Sequence, residues 1–175
     1  MKKDSITIEN YISFLWPHWR TDIPQLPDAF EELTLDNGEL LPYQRGDIFY
    51  LVSGTIGKYC KKEPIRYIST GELIIIPLKP RILLFKTLTG SKVMLLRRDA
   101  LYRIVGEFPK SIILYDELLS KEQESDEFRN YLLKLPKGNR LEAFRARYPM
   151  VPSLVNRKEL AEFLNISIES LRKIF

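Results

Sequence analysis

Apolar residues along this chain follow two rhythms, and the change between them falls near Arg97. From Phe30 to Leu96, short apolar runs alternate with turn signals at close intervals, as antiparallel strands do. Strands are predicted over Phe30 to Leu35, Glu39 to Tyr43, Ile48 to Val52 and Thr55 to Cys60. Ile65 to Ser69, Leu73 to Pro77, Arg81 to Leu88 and Ser91 to Leu96 continue the set. Turns are marked by Asp36-Asn37-Gly38, Arg45-Gly46-Asp47, Ser53-Gly54, Thr70-Gly71-Glu72 and Thr89-Gly90. About eight strands with such corners predict a small double-sheet jelly roll or barrel.

Before this region, Ile8, Tyr11, Ile12 and Leu15 predict a short amphipathic helix stopped by Pro17. Trp16, His18 and Trp19 cluster after it, and a lone histidine there packs on indoles or faces solvent. Beyond Arg97 the period is helical. Asp99 is expected to cap a helix carrying Leu101, Ile104 and Val105. A long helix is expected from Pro109 to Leu135, about 40 Å at 1.5 Å per residue. Its apolar residues form two clusters, Ile112 to Leu119 and Phe128 to Leu135, and the polar stretch 120–127 between them is either exposed or a break. Leu141, Phe144 and Tyr148 predict a further helix after Pro136.

Residues 156–175 predict two short helices with a turn. Asn156 is placed to cap the first, with Glu159 three residues on to answer its amide. Leu160, Phe163 and Leu164 give that helix a buried face, and Ala161 supplies the small side chain that a steep crossing needs. Asn165 suits the left-handed turn, Ile166 the core, and Ser167 the cap of the second helix. Leu171 and Ile174 are its expected buried face, leaving Ile168, Glu169, Ser170, Arg172 and Lys173 outward. A helix-turn-helix with such a face fits a DNA major groove.

Charge sharpens this picture. The formal net charge is +4, yet residues 130–175 hold nine Lys or Arg against four Asp or Glu. The positive excess lies with the helix-turn-helix, where phosphate binding needs it. With 45% hydrophobic residues the chain can build a core. No apolar run has the length of a membrane span, and Met1-Lys2-Lys3-Asp4-Ser5 is no signal peptide. One cysteine, Cys60, excludes an internal disulfide and a cysteine zinc site, so a cytoplasmic location and no cofactor are expected.

A β-roll with Gly corners, a long helix and a terminal helix-turn-helix resemble the Crp/Fnr (cyclic-AMP receptor protein) family of bacterial transcription regulators. The resemblance rests on Gly46, Val52-Ser53-Gly54 and Thr70-Gly71-Glu72 in the roll. At the end it rests on Arg147-Tyr148-Pro149, Val151-Pro152 and the stretch 156–174, which look like short forms from Bacteroidetes. It implies an α+β fold with an N-terminal cyclic-nucleotide-binding-like β-roll, a long dimerisation helix and a C-terminal helix-turn-helix. The expected divisions are a sensor domain over 1–108, a dimerisation helix over 109–135 and a DNA-binding domain over 136–175. Implied partners are double-stranded DNA, a second copy in a homodimer and a small-molecule effector, with no membrane.

By the same resemblance, Gly71, Glu72 and Arg81 are the effector-binding candidates. Glu would hold a ribose hydroxyl and Arg would neutralise a phosphate. The hydroxyl and small residue that follow the Arg in the nucleotide-binding pattern are replaced by Ile82 and Leu83. A phosphate walled by hydrocarbon loses donors, so cyclic AMP is not the expected effector. On the reading helix, Glu169 can accept from a cytosine amino group, while Arg172 and Lys173 can reach a base or a phosphate. Ser167 and Ser170 join them, and Arg157 and Lys158 suit phosphates. Ile168 can touch only a thymine methyl. An interaction module with a degenerate helix-turn-helix is the alternative. An enzyme on the roll is disfavoured, because His18 is the only histidine and no phosphate loop or nucleophile motif exists.

Overall fold

The computed structural model describes residues 8–79 and 82–174. Helix α1 (Ile8–Leu15) and the turn-length α2 (Trp19–Asp22) lead through a 3-10 turn at Pro27–Ala29 into the roll. Trp19 is buried and donates from Nε1 to Ser13 Oγ at 2.8 Å, whereas His18 is exposed.

Among the described residues seven strands form two antiparallel sheets: β1 (Phe30–Leu35), β2 (Ile48–Ser53), β3 (Thr55–Cys60), β4 (Glu63–Ser69), β5 (Leu73–Ile75), β6 (Leu83–Thr87) and β7 (Ser91–Leu96). One sheet has the order β1-β7-β2-β5 and the other β4-β3-β6. Their inner faces meet over Phe49, Leu51, Ile56, Ile68, Phe85 and Val93. Period-two alternation places these residues on one side of each strand. The expected strand at Glu39 to Tyr43 is absent; the segment touches β6 through a single bridge, Leu40 to Lys86. Leu41 still donates to the Phe85 carbonyl at 2.9 Å, but Pro42 has no amide with which to extend the ladder.

Helix α3 (Arg98–Glu107) starts one residue before the expected cap, Asp99. Asp47, buried in a roll loop, takes that role from a distance: its carboxylate accepts from the Arg98 amide at 3.2 Å and from Arg97 Nη1 at 3.1 Å. The single long helix expected next is two, α4 (Ser111–Asp126) and α5 (Phe128–Lys134). They meet at Glu127, where ψ is −17°. Each half serves a different surface. Leu114 and Leu118 of α4 pack on the roll with Ile48, Tyr50 and α1, whereas Leu132 of α5 joins a separate core with the C-terminal helices.

Those helices are α6 (Arg140–Arg147), α7 (Val151–Leu154), α8 (Arg157–Leu164) and α9 (Ile168–Ile174). Their shared core holds Leu141, Phe144, Tyr148, Phe163 and Leu171, together with Tyr67 of β4 and, partly buried, Leu88 of the roll. No helix among the described residues is long and apolar enough to cross a membrane.

Candidate nucleic-acid interface and the groove beside it

The α8–α9 pair is two short helices joined by a turn, and its local geometry follows from its cap residues. The Asn156 side chain accepts from the Glu159 amide at 2.9 Å, which satisfies a donor that the helix itself cannot. Asn165 ends α8 at φ 49° and ψ 53°, a left-handed conformation that Asn tolerates. Ser167 Oγ accepts from the Ser170 amide at 3.0 Å and caps α9. Leu160, Ala161, Phe163, Leu164 and Leu171 are buried as the spacing demands.

Two apolar expectations on α9 fail. Ile174 is 38% exposed, because the second turn projects past the core. Ile168 is half-buried against that core and is not part of a free outward face. What remains fully outward is Glu169, Ser170, Arg172 and Lys173, with Ser167 at the cap. Arg157 and Lys158 are exposed at the start of α8. All seven candidate DNA-binding residues are thus exposed on, or at the cap of, the two short helices.

The expected reciprocal bond from Glu159 to Asn156 is replaced. Glu159 Oε1 instead accepts from Tyr59 Oη at 2.8 Å and from Tyr67 Oη at 2.9 Å. Both tyrosines stand on the outer face of the β4-β3-β6 sheet. Gly57 leaves the room: a Cβ there would lie 2.5 Å from the Tyr59 hydroxyl oxygen. Burial first, then the charge and hydrogen bond of Glu159, push the Tyr67 hydroxyl far above its ordinary range. Tyr67 also stacks near Phe163, with ring centroids 4.9 Å apart.

A second seam joins α4 to the same sheet. Arg66 Nη1 donates to Glu122 at 2.9 Å and to Asp126 at 3.1 Å, and its Nη2 donates to the Leu73 carbonyl. Lys58 Nζ lies 3.0 Å from Asp126 and 3.7 Å from Glu122. Lys58, Arg66 and Glu122 are all buried. The polar stretch is exposed over most of its length and breaks at Glu127, as expected; within it Glu122 is buried and faces inward onto paired cations. Burial and the Asp126 carboxylate still hold Glu122 above the ordinary carboxylate range.

Arg140 braces the module in a way no pattern announced. Its guanidinium donates to the carbonyls of Leu133, Leu135, Leu164 and Asn165, between 2.9 and 3.1 Å. These are the open carbonyl ends of α5 and α8, where a cation is favoured.

Of the effector candidates, Glu72 is engaged elsewhere. One carboxylate oxygen accepts from Arg147 Nη2 at 2.8 Å and the other from the Ser69 amide at 3.0 Å. Gly71 turns at φ 90°. Arg81 lies outside the described residues. Ile82 is 72% exposed, while Leu83 is buried in the roll. A groove with a volume of about 750 Å³ runs instead between the roll and the helices. Ile75, Ile76 and Leu83 form one wall, and Leu101, Tyr115 and Leu119 form the other. Among the described residues no group of three or more His, Cys, Asp or Glu could hold a metal ion.

No family model and no curated sequence matches the chain. Its fold is similar to that of several solved structures. FixK2 from Bradyrhizobium japonicum aligns with a TM-score of 0.62 at 13% identity, covering 83% of this chain and 82% of its own. A CooA mutant from Carboxydothermus hydrogenoformans gives 0.60 at 15% identity, covering 91% and 81%. CLP from Xanthomonas campestris, described as a c-di-GMP-responsive global regulator of virulence gene expression, gives 0.58 at 14% identity and covers 88% of each chain. At such identities the likeness shows a fold: an α+β chain with a cyclic-nucleotide-binding-like roll and C-terminal helices.

Proposed function

We propose that this chain is a DNA-binding transcription regulator of the Crp/Fnr type, with the roll (1–108) as sensor, 109–135 (α4 and α5) as the connecting and dimerisation segment and 136–175 as DNA reader. The observation that carries this reading is the outward set Glu169, Arg172 and Lys173 on a capped α9 anchored by Leu171. Glu169 would accept from cytosine, and Arg172 or Lys173 would meet a guanine edge or a phosphate. Arg157, Lys158 and the hydroxyls of Ser167 and Ser170 suit the phosphates flanking that contact. The likeness to FixK2, CooA and CLP supports the same reading at the level of fold.

The effector is not cyclic AMP in this reading. Any ribose hydroxyl would have to compete with Arg147 for Glu72, and Ile82 and Leu83 offer nothing to a phosphate. Reading a two-fold operator calls for a homodimer with reading helices about 34 Å apart. Along the connecting helix, Ile112, Ile113 and Tyr131 are the exposed apolar residues for its seam.

One observation favours the alternative, an interaction module working without specific DNA. Leu114, Leu118 and Leu132 are spent inside the chain, and Glu117, Glu124 and Glu127 point outward along the connecting helix. Two such faces repel each other across a two-fold axis. Selection of bound sequences from a random duplex pool separates the readings. The regulator reading expects an enriched palindrome, with Arg172→Ala or Lys173→Ala costing about 1–3 kcal/mol of discrimination at one position. Arg157→Ala should weaken all sequences alike and flatten the salt dependence. No enriched motif at low salt, from a folded chain, leaves the interaction module as the function.

A further inference from the structure

The groove beside α4 is separate from the Gly71-Glu72 corner, neither of which lines it. Its volume of about 750 Å³ falls within the roughly 300–1,000 Å³ of small-molecule sites. The positions of its lining residues divide α4 into three flanks at helical spacing. Leu114 and Leu118 face the roll, Tyr115, Leu119, Glu122 and Asp126 line the groove, and Glu117 and Glu124 face outward.

Charge along the groove is polarised. At the end next to α5, Lys58 is already held by Asp126 and Glu122, and those carboxylates repel an anion. At the other end stand Lys79 and Arg98, beside Gly46 and Leu78. Among the described residues Lys79 has no ion-pair partner, and Arg98 pairs only with Asp99, whose side chain is 83% exposed. Such a surface pair is worth little and yields readily. Between the two ends the walls are mostly apolar, with the rings of Tyr102 and Tyr115 among the aliphatic side chains. Counting every charged lining residue, the groove has four cations against two carboxylates.

We infer that this groove binds an amphipathic organic anion, an apolar chain or ring system ending in one carboxylate or sulfonate. The anionic head sits at Lys79 and Arg98, and the apolar body lies between Ile75 and Leu83 on one side and Val105 and Leu119 on the other. The inference rests on the sensor role proposed above and names the ligand class that role would take. It also gives a route to the reader. Arg129 lines the α5 end of the groove, donates from Nε to the Phe163 carbonyl at 3.2 Å and stacks 5.2 Å from the Phe163 ring. An occupant that reaches Arg129 presses on a residue seated in α8.

The test uses the full chain and 8-anilinonaphthalene-1-sulfonate, followed by fluorescence and displaced by dodecanoate. The expected result is one saturable site per chain, with dodecanol and N-phenyl-1-naphthylamine, the uncharged counterparts, at least tenfold weaker. The double variant Lys79→Gln/Arg98→Gln should remove that preference, while Leu119→Trp should fill the groove and abolish binding of charged and neutral probes alike. Val105→Trp, on α3 in the same wall, repeats the test if Leu119→Trp does not fold. Equal binding of neutral and anionic probes would overturn the inference, as would non-saturable binding or indifference to the groove-filling variants. Binding that disappears as light scattering shows a second copy associating would overturn it too, because the groove is then an interface. Gel shifts are run separately: probe binding without DNA binding defeats the regulator reading alone, and DNA binding without probe binding defeats this one alone.

Discussion

Among the contacts that hold the helical half of the molecule on the roll, two run through the same three-stranded sheet as seams of opposite chemistry. On one, Lys58 and Arg66 meet Glu122 and Asp126 of α4. On the other, Tyr59 and Tyr67 meet Glu159 and the Phe163 ring of α8. The charged seam takes ions out of water, and attraction repays that cost only while every partner is present. The tyrosine seam gains from buried ring area and asks only that one carboxylate keep its donors. One seam therefore fixes geometry and the other supplies adhesion.

The largest expected effect breaks the charged seam by one member. Arg66→Met should destabilise the fold by about 3–5 kcal/mol in urea unfolding, because Glu122 is left charged in a buried place. Arg66→Met combined with Glu122→Leu should recover most of that loss, and a double variant as unstable as the single would show that the seam contributes net stability. Next in size, Tyr67→Phe and Tyr59→Phe should each cost about 1–2 kcal/mol, since each removes one donor from the Glu159 carboxylate. No pairing of tyrosine variants should restore it, in contrast with the charged seam.

The smallest effect is on pH dependence. Glu122 titrates higher in the folded chain than its ordinary value. Between those two values the native state holds more protons than the unfolded chain, so stability falls as pH rises through that window. Glu122→Gln should flatten this slope, measured as melting temperature from mildly acidic to neutral pH, and an unchanged slope would assign it to another group.

What was legible in the sequence was local. Asn156, Asn165 and Ser167 act within a few residues of themselves, so their caps can be read from spacing, and the Gly-marked corners of the roll likewise. Apolar periodicity placed Leu160, Phe163 and Leu171 correctly for the same reason. The partner of Glu159 was not legible, because Tyr59 and Tyr67 lie 100 and 92 residues away. A pattern that counts every carboxylate as outward also misreads Glu122, whose inward place depends on cations of β3 and β4. Arg140 was hidden for a related reason: its four acceptors are main-chain carbonyls, which leave no trace in residue type. Glu72 matched a ligand-binding pattern by position, but position does not reveal that Arg147 is its partner.

Tyr67 belongs by strand to the roll and by packing to the C-terminal helices. The C-terminal helices therefore cannot be excised as a cassette: a fragment cut after the roll would leave Phe144 and Phe163 facing solvent where Tyr67 had covered them. Amides of α8 should consequently exchange with deuterium at the pace of the inner strands, through opening of the whole chain rather than of one part. A graft of these helices onto a foreign roll would inherit the outward residues of α8 and α9 but not the Tyr67 ring that packs in their core.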